Sequence, residues 1–142
     1  MDRLYRLSQE ERGAIRKQIA AELSREPDVL FAYVYGSFCQ SEVFHHVEIG
    51  VYLSNSHFNN TMAANLSAHL SGILTLPVDI RPLNMAPISF RLYVLRGECL
   101  FSRDDTLCAD ILEDTRQRYL NIASQRGHTP KKTFNDSESD DS

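Results

Sequence analysis

Gly36-Ser37 directly follows the apolar run VLFAYVY, and ten residues later comes Glu48-Ile49-Gly50. A glycine at the end of a buried strand lets the chain turn sharply and approach a ligand closely. A serine at the start of the next helix offers a hydroxyl and free backbone N–H groups to an anion. The turn is therefore a candidate phosphate grip. Glu48, and Asp79 in the segment VDIRP, supply the hard oxygen donors that Mg2+ prefers. Residues i and i+2 of a strand share a face, so a carboxylate at position 50 would stand beside Glu48; glycine is there instead. His46 lies on the same face, and with Glu48 and Asp79 it could form a transition-metal set. The adjacent pair His45-His46 reads more simply as a polar strand entry. Glu48 also has a plain reading, as a solvated strand residue or one half of an ion pair with Arg81 or Arg91, because a charge in an apolar strand needs a partner. Asp79 is evenly balanced between site and structure.

The surrounding elements must position these residues. Ser8-Gln9-Glu10-Glu11 has the form of a capping box, and Ile15, Ile19 and Leu23 repeat at helical spacing up to Pro27, which predicts a helix over 8–26. The run 29–35 reads as a strand covered on both faces. After Gly36-Ser37 a short helical segment or loop leads to a second strand, 46–53. Met62, Leu66, Leu70, Ile73 and Leu74 form a helical stripe over 57–75, followed by a short strand at 78–82. Pro87 suits the first turn of a helix to about Arg96, then CLFS forms a brief strand. A last helix starts near Asp104, an N-cap candidate, and runs to about Ser124, with Cys108, Leu112, Thr115, Tyr119 and Ile122 along one packing face. Residues 1–124 form one domain, and the polar acidic tail 125–142 is expected to be disordered.

At 142 residues with 42% hydrophobic and 24% charged, the chain has the length and composition for one buried core. A net charge of −4 gives no general attraction to nucleic acid. No apolar run reaches the ~20 residues of a membrane helix, and the N-terminus lacks a secretory core, so a cytoplasmic location is expected. Cys39, Cys99 and Cys108, an odd set without C-x-x-C spacing, read as reduced thiols, with Cys99 and Cys108 as packing residues.

The set Gly36-Ser37, ten residues, Glu48-Ile49-Gly50 resembles the G-S-x10-D-x-D motif of minimal nucleotidyltransferases, with Asp79 where that family carries its third carboxylate. The resemblance implies a polymerase-beta-type nucleotidyltransferase fold, an α/β architecture with a small mixed sheet flanked by helices. It implies that Gly36 and Ser37 bind nucleotide and that Glu48 and Asp79 are the catalytic and metal-holding residues, with ATP and Mg2+ as cofactors. At this length the chain is most similar to the antitoxin half of HEPN–nucleotidyltransferase (type VII) toxin–antitoxin pairs. In those, the resemblance implies transfer of AMP to a tyrosine of the HEPN ribonuclease toxin. The departure is central: the first aspartate is Glu48 and the second is Gly50, which removes one of three carboxylates. The reading is thus a pseudoenzyme-like antitoxin that binds and restrains a HEPN-type partner. The alternatives are a live Mg2+-dependent adenylyltransferase using Glu48 and Asp79, and a sensor that binds ATP without turnover. Oligomeric state stays open. If Gly50 is a simple vacancy, Gly50→Asp with Glu48→Asp is expected to rebuild the cage.

Overall fold

Alternating large side chains make VLFAYVY the strand on which the rest of the sheet is built. The structure, a computed structural model, describes residues 3–54 and 60–126. Its elements are β1 (Tyr5–Arg6), α1 (Gln9–Ser24), β2 (Val29–Tyr35), α2 (Ser37–Gln40), β3 (Val43–Phe44), β4 (Val47–Leu53), α3 (Asn60–Leu74), β5 (Val78–Pro82), α4 (Ile88–Leu95), β6 (Glu98–Ser102) and α5 (Asp105–Arg126). The main sheet has the order β5-β4-β2-β6. β2 is central and antiparallel to both β4 and β6, while β4 and β5 run parallel across the α3 crossover. This is the mixed, helix-flanked sheet the sequence predicts.

Strand alternation sorts the side chains into two cores. Ala32, Val34, Ile49 and Val51 pack with Ile19 and Leu23 of α1 and Leu70 and Leu74 of α3. Phe31 and Tyr35 face the other way, toward Leu83 and toward Val94 and Leu95 of α4, with Ile111 and Leu112 of α5 alongside. Both predicted caps form. Ser8 Oγ accepts from Glu11 N–H at 3.0 Å and Glu11 Oε1 accepts from Ser8 N–H at 2.8 Å. Asp104 Oδ1 accepts from Leu107 N–H at 3.0 Å. The exposed edge of β5 is also satisfied. Ser71 and Ser67, one turn apart on α3, accept from Val78 N–H and Ile80 N–H at 2.9 Å each, which blunts an edge open to strand addition.

Several expectations change. The ribbon β1–β3, with Tyr5 stacked on Phe44 at 5.7 Å, lies outside the predicted elements; two-residue strands carry no periodicity. His46 precedes β4 rather than opening it. Cys99 is exposed, not a packing residue, because it lies on the edge strand β6. Cys39, Cys99 and Cys108 are free thiols, and burial pushes Cys39 up to about 11. The last helix packs through Thr115, but farther along Leu120 is 57% and Ile122 41% exposed, so its apolar face outruns the body that covers it. Helix α5 continues through Arg126, past the predicted start of the tail. The rest of that tail, and the predicted helix start at 57–59, lie outside the described residues.

The segment after β2 is held by a buried cation. Arg12 is 2% exposed; it donates through Nε to Leu7 O at 3.0 Å, through Nη1 to Phe38 O at 2.6 Å and through Nη2 to Glu42 O. Its guanidinium also lies over the Phe38 and Phe44 rings. Arg12→Met should therefore cost about 2–4 kcal/mol in urea unfolding, since it strands buried carbonyls. Arg12→Lys should recover little of this, because an ammonium lacks the planar fork. A loss below about 1 kcal/mol for Arg12→Met would rule out the clamp.

Candidate functional site

Gly36 has φ +81°, a conformation that favours glycine, and it caps the short helix α2. A side chain there would also collide: a Cβ would lie 2.5 Å from Glu48 Oε2. The extra methylene of Glu48, relative to aspartate, therefore places a carboxylate oxygen directly against the turn that the sequence marks as the phosphate grip. Ser37, the first residue of α2, is half-buried beside it.

The parallel register pairs Glu48 with Asp79 and Gly50 with Arg81. The two carboxylates predicted to act together are thus brought onto adjacent strands and one face, as β4 and β5 require. Burial and then the nearby Asp79 charge raise the Glu48 pKa above the ordinary carboxylate range, with His46 and Arg81 opposing. The ion pairing differs from either expected partner of Glu48. Arg81 Nε lies 3.2 Å from Asp79 Oδ2, and this hydrogen bond raises the arginine pKa further. Arg91 is buried and turned to α5, donating to Thr115 Oγ1 at 2.9 Å and lying 3.6 Å from Asp114. Among the described residues no group of three His, Cys, Asp or Glu side chains is placed to hold a metal ion; the set His46, Glu48 and Asp79 does not converge.

Position 50 is filled rather than vacant. A Cβ on Gly50 would lie 2.6 Å from Val94 Cγ1 and 3.0 Å from Leu83 Cδ2. Val94 comes from α4 and Leu83 from the turn before it, and both are fully buried. The turn is fixed by Asn84, whose Oδ1 accepts from Leu53 N–H at 2.9 Å and whose Nδ2 donates to Leu53 O at 2.8 Å. The expectation that aspartates at 48 and 50 would simply rebuild a cage is therefore corrected: a carboxylate introduced at position 50 would enter an apolar contact.

Aromatic rings close the same face. Tyr35 packs edge-on against Phe90 at 5.8 Å and Tyr93 at 5.7 Å. Its hydroxyl is buried without a hydrogen-bond partner among the described residues. Burial and the Glu48 charge hold that hydroxyl protonated. A cavity of about 610 Å3 opens beyond β5, beside Asp79, Arg81 and Phe90 and against Ala63, Ala64 and Ser67 of α3. Neither Glu48 nor the Gly36–Ser37 turn lines it, so it does not join the two halves of the predicted nucleotide site. Sequence reasoning misses Tyr35, Leu83, Val94 and Phe90 as neighbours of the site, and nothing in local spacing marks them. Arg81 is legible, since it lies two residues from Asp79 on one strand face.

Two outcomes follow for the folded chain. Gly50→Ala should cost about 1–3 kcal/mol in denaturant unfolding through overpacking, and Gly50→Asp more, through a buried unpaired carboxylate; unchanged midpoints would show that Val94 and Leu83 yield freely. For Glu48, a raised folded pKa means that the folded state binds the proton more tightly than the unfolded chain. Stability then falls as pH rises from the ordinary carboxylate value, about 4.3, to the raised one, and the penalty is complete above it. Glu48→Gln should accordingly raise the melting temperature at pH 7, with the gain vanishing below about pH 4. A gain independent of pH would contradict this assignment.

A family model described as polymerase beta, nucleotidyltransferase, matches residues 17–106. No curated protein matches the chain by sequence. Among solved structures, the chain is similar to one from the toxin–antitoxin MntA–HepT, with TM-score 0.68 and 17% identity over 82% of this chain and 93% of that one. The same values hold for a chain from the tri-AMPylated HEPN toxin of Shewanella oneidensis in complex with MNT antitoxin. A toxin–antitoxin structure with AMP-PNP gives TM-score 0.68 and 19% identity over 80% of this chain and 93% of that chain.

Proposed function

The chain belongs to the polymerase beta nucleotidyltransferase family, and we propose that it uses the family's frame to bind and restrain a HEPN-type toxin, with its own catalytic centre degenerate. The observation that carries this reading is the filled space at Gly50, where Val94 and Leu83 occupy what a second metal-holding carboxylate needs. Nucleotidyl transfer through two metal ions needs carboxylates that bridge both of them. Here Glu48 and Asp79 are the two carboxylates left, and Asp79 is already paired with Arg81.

The partner class is supported by the company of the similar solved structures, which are toxin–antitoxin complexes, one naming a HEPN toxin and an MNT antitoxin. This chain spans 93% of the matched chains, so nearly all of their fold has its counterpart here. One of those structures contains AMP-PNP. In this chain a grip on ATP would rest on Gly36 and Ser37, against which Glu48 sets a carboxylate oxygen, so nucleotide binding should be weak. Restraint then works by contact, with no adenylyl group transferred.

The test is co-expression of the chain with a candidate HEPN toxin from the same genome, followed by incubation of the purified pair with labelled ATP and Mg2+. Asp79→Ala should protect cells as well as the parent does and remain bound to the toxin, and no label should appear on the toxin. Toxicity released by Asp79→Ala with the fold intact, or label on a toxin tyrosine, would support the adenylyltransferase instead.

A further inference from the structure

The family's chemistry implies a divalent cation at this centre, and the residues present do not fit one. Mg2+ takes near-octahedral oxygen coordination and is held through carboxylates. The donors here are two: Glu48, with an oxygen turned against Gly36, and Asp79, with an oxygen 3.2 Å from the Arg81 guanidinium. The register adds the second half of the argument. Arg81 is the cross-strand partner of Gly50, so the cation rises from β5 beside the position that has lost its carboxylate. The glycine brings no side chain of its own to this pairing, and the guanidinium reaches back along β5 to Asp79. Its stem is supported by the Phe90 ring, whose centroid lies 5.8 Å from the guanidinium carbon.

We propose that Arg81 is the resident cation of this centre, neutralising Asp79 in place of a divalent metal and keeping metal out. Arg81 already supplies one positive charge to this pair of anions, through its hydrogen bond to Asp79 Oδ2. A metal ion approaching Asp79 would meet that positive charge at close range and would compete with the guanidinium for Oδ2. This inference deepens the reading of a degenerate centre and rests on it, but it concerns the protein alone and can fail separately from partner binding.

The experiment is a Mn2+ titration of the purified chain followed by electron paramagnetic resonance, with thermal unfolding in parallel. The parent should bind Mn2+ only weakly, with no metal-dependent change in melting temperature. Arg81→Gln keeps a polar side chain of similar reach on an exposed site, so it should fold. It should bind Mn2+ about tenfold more tightly than the parent, the effect of removing one unit charge at close range. Its metal-free melting temperature should fall by roughly 2–4 °C and recover with Mn2+. Adding Asp79→Asn to Arg81→Gln should abolish the gain, which places the ion at this centre. Saturable Mn2+ binding by the parent as tight as that of Arg81→Gln would overturn the proposal. So would a variant that gains no metal response, or a gain that survives Asp79→Asn.

Discussion

Val94 and Leu83 lie so close to the backbone of β4 at Gly50 that no other residue fits without displacement. That contact seats α4 on the sheet, and the α4 face of the molecule is arranged around it. Tyr35 meets Phe90 and Tyr93 because α4 lies low over β2, and Arg81 finds the Phe90 ring beneath it for the same reason. A close-packed interior has few voids for a side chain to enter. Position 50 is therefore not an open gap beside Glu48; the side chains of Val94 and Leu83 occupy that space.

Two buried arginines set the frame on either side of the sheet, and they do it differently. Arg12 is satisfied by three backbone carbonyls and two ring faces, without a carboxylate. It binds α1 to the segment that follows Gly36, so the turn's geometry is tied to the first helix. Arg91 links α4 to α5 through Thr115 and Asp114, and it also reaches Asn84 O at 3.4 Å. That bond joins it to the turn that presents Leu83. A buried charge is tolerated only when its donors are satisfied, and both guanidinium groups meet that condition. Each in this way converts a desolvation cost into positional specificity near the candidate site.

Charge balance at this centre is set from within the chain. The parallel register that brings Glu48 beside Asp79 is the same register that brings Arg81 beside Gly50. The frame for gathering acidic groups is thus retained, while the charge on Asp79 is compensated from within the chain. The cavity beyond β5 touches Asp79 and Arg81 and stays apart from the Gly36–Ser37 turn.

Most of the elements are legible in the amino-acid order, because their signals are local. The Ser8 and Asp104 caps, the apolar run of β2, the prolines near helix ends and the paired positions 48 and 79 all act within a turn or across a predictable strand face. The family resemblance rests on spacing of that kind, and so does the absence of a carboxylate at position 50. The meaning of Gly50 emerges only when the chain folds, since an absent side chain says nothing about which distant residue fills its space; Val94 is forty-four residues away. Folding likewise sets the partners of the arginines. It also decided that Arg81 serves Asp79 while Arg91 turns to α5, that Cys99 lies exposed on an edge, and that Tyr5 and Phe44 close a small ribbon. Those outcomes depend on which surfaces meet when helices dock on a sheet. Packing and ion pairing are properties of the assembled chain, and neither has a period that a sequence can display.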